Sequence, residues 1–395
     1  MRISTVGFQT DASNQMQALE AEIAQTQQQL STGIKLQNAA DDPAGMAQVD
    51  QLNAQISASQ QYQTNGNTLN ANLQIEEQSL TTATSTMQSA RDLALEANNA
   101  ALTSSQRQDI ATQVQQLLQQ LVSTANSTDS NGNFLFSGEA TATQPFAQSG
   151  TAVTYNGSNG VSQVQISPNQ RISSGDSGAS VFVNIPGGNG TFTTAVGAGN
   201  TGTATIGPGT VVNASQWVPD TYTISFTDPT DYTVTNSEGI TVGGGTYTSP
   251  GTIAFNGTST TITGTPAAGD TFTVAPAGTS SAFNTLSSLI TTLNDPSLTA
   301  AQLSTQIGTA VEQIDGAVNN FNQVQASVGA RLNAVTAANT TAQSTQTSMT
   351  ATVSSLQNVD YAAATTQLST QELALQAAQE SYASIAHMSL FQYLQ

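Results

Sequence analysis

Cysteine is absent from all 395 residues of this chain, which excludes disulfides, thiol catalysis and thiolate metal sites and leaves the redox compartment unmarked. Charge is scarce as well: 8% of residues are Asp, Glu, Lys or Arg, against about a quarter in an average soluble domain. Six basic residues face 25 acidic ones, a formal net charge of −19. So few cations cannot neutralise a phosphate backbone, which excludes nucleic acid as a main partner and argues against anionic membrane surfaces. No apolar run approaches the roughly 18 residues that span a bilayer, so no membrane insertion is expected. After Met1 and Arg2, "ISTVGFQTDASNQM" lacks a continuous apolar stretch, so a cleaved secretory signal is not expected. Histidine occurs once, at His387, too little for a nucleophilic triad or a histidine metal site. The expectation is no enzyme, no cofactor and no metal.

What is there is Gln, Ala, Leu, Ser and Thr at helical spacing in residues 1 to 138 and 284 to 395, with Gly, Thr, Val and Pro between. The length fits two or three domains. Met16, Leu19, Ile23 and Leu30 lie on one seam with 3,4 spacing, and Leu368, Leu375, Tyr382 and Ile385 form another near the far end. Between them, Ile307, Val311, Ile314, Val318, Phe321, Val328, Leu332 and Val335 hold one coiled-coil register that continues to Leu356, about 75 Å at the helical rise. A helix from Met46 to Asn98 would be about 80 Å long, and the matched lengths predict antiparallel pairing. Its register shifts near Asn65, Gly66 and Asn67. Thr103 and Gln106 are spaced as a capping box before a third helix carrying Ile110, Val114, Leu117 and Leu121.

The middle alternates with period two at Val161 to Ser167, Thr221 to Phe226, Asp231 to Thr235 and Asp270 to Val274, which predicts short antiparallel strands. Trp217, the single tryptophan, is expected to pack their core. Gly243 to Gly245 reads as a turn. Asp228 and Asp231 read as turn residues around Pro229 rather than calcium ligands. The expected fold is multidomain α plus β. A long antiparallel coiled-coil bundle is built from both termini and carries a central β-rich insertion. Segments 1–45 and 357–395 form an inner coiled-coil domain, 46–139 and 283–356 a helical core, and 140–282 an outer β-rich domain.

In "LSTGIKLQNAADDPAG", residues 30–45, two adjacent carboxylates follow the only lysine, Lys35. Asp42 before Pro43 is what a helix start asks for: a carboxylate accepts orphan amides, and proline at the first helical position has no amide to leave unpaired. The pair is expected to set a helix boundary. Arg331 is the only basic residue beyond Arg171, and it is expected to pair with a carboxylate within the subunit or across an interface.

The same stretch resembles the N-terminal motif shared by flagellins and flagellar junction proteins. "NSTDSNGNFLFSG" from Asn126 is similar to the motif that closes their N-terminal half. "ASVGARLNAV" from Ala326 and the run from Asp360 to Leu394 resemble the C-terminal half. The opening "MRIST" and the central runs "TQPFAQSG", "YNGSNGVSQVQIS", "NIPGGNGTF" and "GTPAAGDTFTV" resemble the hook-filament junction branch, the hook-associated protein 3 family; flagellin, the filament subunit, is the alternative. The resemblance implies an extracellular structural part of the bacterial flagellum, exported unfolded by the type III apparatus without a cleaved signal. Implied partners are further copies of the chain, hook-associated protein 1, flagellin, an export chaperone and the export apparatus. The terminal segments are then expected to be disordered in the monomer and to fold on assembly, because their Ala-rich seams alone bury too little to offset chain entropy.

Overall fold

The structure is a computed structural model and describes residues 5–391. Six helices flank a β-rich middle: α1 (Thr5–Thr32), α2 (Pro43–Ala97), α3 (Ser104–Ala125), then the strands, then α4 (Ala282–Asn294), α5 (Ala300–Gln357) and α6 (Tyr361–Phe391). The chain divides into two compact units, one up to Gln63 and from Asn339, the other Thr64–Ala338. The breaks anticipated near residues 45 and 357 are where helices end and begin, whereas the division into compact units falls inside the continuous helices α2 and α5.

In the first unit α1 and α6 run antiparallel, since Thr26 meets Gln371 while Gly33, seven residues later, meets Val359. The early part of α2 lies along the late part of α5, with Ser59 Oγ on the Ala342 carbonyl at 3.4 Å. Among the residues whose burial is described, buried positions in this unit are few: Thr26, Leu36, Gly45, Val49, Ser59 and Ala364.

The second unit holds two cores. In the first, Ile307, Ile314, Phe321, Val328 and Val335 of α5 are all 0% exposed, one residue per heptad in the core that α5 shares with α2. Val311, Val318 and Leu332 are half-buried, and the small residues Ala310 and Ala317 take the neighbouring buried positions. Antiparallel pairing of α2 with α5 is fixed by Gln325 Nε2 on Thr81 Oγ1 at 2.9 Å and by the Arg91–Asp315 ion pair at 2.7 Å. Helix α2 passes through Gly66 without interruption. The seven-residue series of buried positions runs on through it, as Gly66, Leu73, Leu80 and Met87, joined by Leu69, Glu76 and Ala83 on a second series, so the shift of register expected there is not seen in these positions. Helix α3 starts with the capping box, the Gln106 amide on Thr103 Oγ1 and the Thr103 amide on Gln106 Oε1. A second box, Thr299 with Gln302, starts α5 after the Asp295–Pro296 break that separates it from α4.

The stretch 126–186 belongs to this first core rather than to the β-rich one. Phe136, Phe146 and Phe182 are fully buried with Phe283 and Phe321, at ring separations of 4.9 to 5.7 Å. Two hairpins, Phe146–Ser149 with Ala152–Tyr155 and Gln163–Ser167 with Gln170–Ser173, cover that cluster.

The second core lies between two antiparallel sheets. One has the order Thr241–Thr246, Asp231–Thr235, Tyr222–Phe226, Thr271–Pro276, Phe192–Val196; the other is built on Gly251–Phe255, Thr258–Thr263 and Thr205–Ile206. Ile224, Phe272, Ile262 and Phe192 fill the space between them, and Trp217 packs on Phe192 and Tyr222. Gly243 to Gly245 form no turn: they lie in an edge strand opposite Val234, Gly244 facing Thr233. A Cβ on Gly244 would stand 3.0 Å from the Tyr232 carbonyl, so glycine here serves close strand approach.

Candidate assembly site

The joint between α1 and α2 is built from backbone amides and two carboxylates. Helix α1 ends at Thr32 because Gly33 follows at φ +72°, a conformation glycine adopts without penalty. A Cβ there would lie 2.9 Å from the Tyr361 hydroxyl. The chain then pairs with the α5–α6 break: the Lys35 amide donates to the Gln357 carbonyl at 2.6 Å and the Val359 amide to the Gly33 carbonyl at 3.0 Å. The two places where long helices break are thus tied together, although they lie more than 300 residues apart in sequence.

Asp41 and Asp42 divide the work. Asp42 Oδ1 accepts the amides of Ala44 and Gly45 at 3.1 and 3.0 Å, the geometry of a helix N-cap, with Pro43 at the first helical position. Asp41 caps nothing. Its Oδ2 accepts the amides of Gln37 and Asn38, and its Oδ1 accepts Gln25 Nε2 at 3.0 Å, which holds the loop on α1. Gly45 is required by closeness, since a Cβ would stand 2.6 Å from Asp42 Oδ2 and 3.0 Å from buried Leu36.

Along the α1–α6 pair, Met16, Leu19, Ile23 and Leu30 are half-buried and so are Leu368, Leu375 and Tyr382; the Ile385 side chain lies outside the described residues. Apolar spacing alone does not reveal the polar members of the seam. Thr26 sits in the heptad gap between Ile23 and Leu30, and Gln371 in the gap between Leu368 and Leu375. Their side chains meet at 3.0 Å.

A third cluster lies inside the second unit. Arg331 of α5 forms a salt bridge with Asp176 and donates from Nη1 to the Gly175 carbonyl at 3.0 Å. The Asp176 amide donates to Oε1 of Glu76 on α2 at 3.0 Å, and Glu76 is only 2% exposed. Burial, reinforced by the Asp176 carboxylate, holds the Glu76 carboxyl well above its usual range. Glu76 is invisible to sequence reasoning because "QIEEQ" shows two glutamates, and only packing decides which one is buried. Asp228 Oδ1 closes a turn on the amides of Thr230 and Asp231. Among the described residues no group of three or more His, Cys, Asp or Glu is placed to hold a metal ion, and no helix is long and apolar enough to cross a membrane.

Comparison with known proteins assigns these surfaces to a family. Residues 3–141 match the bacterial flagellin N-terminal helical region and residues 311–394 the C-terminal helical region. Residues 196–276, nearly all of the β sandwich, match the D2-like domain of flagellar hook-associated protein 1. Flagellar hook-associated protein 3 of Salmonella typhimurium is 31% identical over 185 residues, 47% of this chain; the match spans little more than half of that relative, 58% of its length. The crystal structure of Xanthomonas campestris FlgL superposes with a TM-score of 0.68 at 31% identity, covering 74% of this chain and 99% of that one. Hook-associated protein 3 of Legionella pneumophila gives a TM-score of 0.73 at 30% identity, over 78% of this chain and 98% of the other. With the paired terminal helices, the capped joint between α1 and α2 and a β-rich insertion, the chain belongs to the flagellar hook-associated protein 3 (FlgL) family, structural junction proteins of the flagellin superfamily.

Proposed function

We propose that this chain joins the hook-associated protein 1 layer to the flagellin filament, outside the cell, after type III export in an unfolded state. Its terminal helices supply the assembly contacts. The observation that carries the reading is the half-exposed seam of α1 and α6, a heptad pattern that finds only part of its cover within one chain. Buried side chains in α1 and α6 are limited to Thr26 and Ala364 among the residues whose burial is described, too little to offset the ordering of two helices about 30 residues long. In the isolated monomer α1 and α6 are disordered, and neighbouring subunits complete them on assembly. Low charge serves the same end, because like subunits packed side by side repel less when their surfaces are uncharged.

Deleting residues 361–395 leaves a folded middle that does not assemble. In a strain carrying that deletion, flagellin appears in the medium and electron microscopy shows hooks without filaments; normal filaments would remove the proposal. A filament-forming role as flagellin predicts instead that the purified chain, seeded on hooks, grows long filaments by itself. The match of its β sandwich to a junction-protein domain favours the junction role.

A further inference from the structure

Six Asn–Gly pairs occur in the chain, with asparagine at 65, 131, 156, 159, 189 and 256. In such a pair the glycine nitrogen, with no Cβ beside it, can attack the amide carbon of the asparagine side chain. The attack needs two groups free at once, the asparagine side chain and the glycine backbone N–H. A hydrogen bond that has to break first slows the step about fivefold. Five of the pairs have at least one of the two groups held. Gly66 lies inside α2, and Asn65 Nδ2 donates to the Gln165 carbonyl at 3.0 Å. The Gly132 amide donates to the Asp129 carbonyl and the Gly160 amide to Ser158 Oγ, both at 3.1 Å. Asn189 Oδ1 accepts the amides of Thr191 and Phe192, and the Gly190 amide donates to the Gly187 carbonyl. Asn256 Nδ2 donates to the Tyr222 hydroxyl at 3.1 Å.

The pair Asn156–Gly157, just after the hairpin strand Ala152–Tyr155, differs. Asn156 is exposed, and among the described residues neither its side chain nor the Gly157 amide has a hydrogen-bond partner. The chain is held on both sides of that peptide. The Asn156 amide donates to the Pro145 carbonyl at 2.8 Å and the Ser158 amide to the Ser137 carbonyl at 2.9 Å, while the Tyr155 hydroxyl donates to the Ser158 carbonyl at 2.8 Å. Tyr155 also dictates the glycine, since a Cβ on Gly157 would stand 2.5 Å from the Tyr155 hydroxyl oxygen and 2.6 Å from its Cζ. Packing thus keeps the reactive nitrogen unshielded, and no bond restrains the side chain it faces in sequence.

We propose that Asn156 is the site at which the folded chain deamidates spontaneously. The Gly157 nitrogen gives its proton to solvent base and bonds to Asn156 Cγ; the Cγ–Nδ2 bond breaks, and the side-chain nitrogen takes a proton from water and leaves as ammonia. Water then opens the succinimide at either carbonyl, which leaves aspartate or isoaspartate at 156. Either product adds one negative charge to a chain already at −19, so older copies are more acidic. Isoaspartate also lengthens the main chain by one carbon between the ties to Pro145 and Ser137.

The test incubates the full chain at mildly alkaline pH, folded and in guanidinium chloride, and follows aspartate and isoaspartate at each of the six positions by peptide mapping and mass spectrometry. Dividing each folded rate by the rate in denaturant removes the effect of local sequence. The ratio stays highest at 156 and is lower at each of the other five by about fivefold or more. Asn156→Gln closes its imide far more slowly, and with an exposed, unbonded side chain it leaves the circular dichroism spectrum unchanged. In isoelectric focusing of aged folded protein this variant lacks the main acidic band. A ratio at any other pair that equals or exceeds the one at 156, or a main acidic band retained in Asn156→Gln, overturns the assignment.

Discussion

The Thr26 hydroxyl of α1 donates to Gln371 Oε1 of α6 at 3.0 Å, at the centre of an otherwise apolar seam. A polar pair at such a position lowers stability and specifies register, because only one alignment satisfies both partners. Replacing both with leucine raises the melting temperature of the α1–α6 pair in assembled protein and broadens the distance distribution between spin labels placed on the two helices. A distribution as narrow as that of the parent would show that register is set elsewhere.

Gly33 is tested by alanine. The left-handed conformation costs a non-glycine residue about 1–2 kcal/mol, and its new methyl also meets the Tyr361 hydroxyl. Gly33→Ala therefore loosens the tie between the two helix breaks. Hydrogen exchange of the Lys35 and Val359 amides accelerates, while exchange in the β sandwich is unchanged.

Asp42→Ala removes the acceptor for two helix-terminal amides and lowers stability by about 1 kcal/mol in chemical denaturation followed by circular dichroism. Asp42→Asn retains an acceptor and loses less. Asp41→Ala, which breaks loop contacts alone, leaves α2 intact but frees the loop from Gln25.

Glu76 gives a pH dependence with a definite sign. Its carboxyl is raised in the folded chain, so the folded state holds a proton that the unfolded state has released. The stability this contributes is complete below the unfolded value near 4.5 and is lost as pH rises through the folded value. Glu312, raised to about 7, acts in the same direction between those limits. Glu76→Gln keeps the acceptor for the Asp176 amide and carries no charge. Its denaturation midpoint matches the parent at pH 5 and exceeds it at pH 9; equal midpoints at both values would contradict this account.

Among the described residues, Arg331 is the only cation that forms a salt bridge within that carboxylate pair. Arg331→Ala leaves Asp176 without its partner and lowers stability by about 3 kcal/mol, the scale on which breaking one side of a mostly buried ion pair acts. Arg331→Lys keeps the charge but cannot reach Asp176 and the Gly175 carbonyl together, so its loss is intermediate. Glu76→Gln in the Arg331→Ala background recovers part of the loss at neutral pH, because glutamine needs no proton taken up on folding to sit beside Asp176. Thermal melts of the four proteins read this directly.

Much of the helical framework was legible because its signals are local. The Thr103 to Gln106 box and the heptad series from Ile307 to Val335 each depend on a few neighbouring residues. Other features needed contacts distant in sequence. The run "GGG" at 243–245 reads as a turn until Val234 is seen opposite Gly243. The 140–186 stretch reads as part of a β insertion until Phe146 and Phe182 are found among the helices. The second capping box at Thr299 is local too, since Asp295, Pro296 and the Thr299 to Gln302 spacing mark it.

By itself the sequence determined that both ends of the chain are helical, where α2 starts and about how far α2 runs. Each of these follows from composition, spacing or a cap, which act within a few residues. Only the tertiary structure decided that Thr26 meets Gln371, that the two helix breaks are tied through Lys35 and Val359, that Glu76 rather than Glu77 is buried with Asp176 and Arg331, and that Glu312 is left without a partner. These depend on which of several chemically similar residues packing takes out of water, and that choice is made across hundreds of residues of chain.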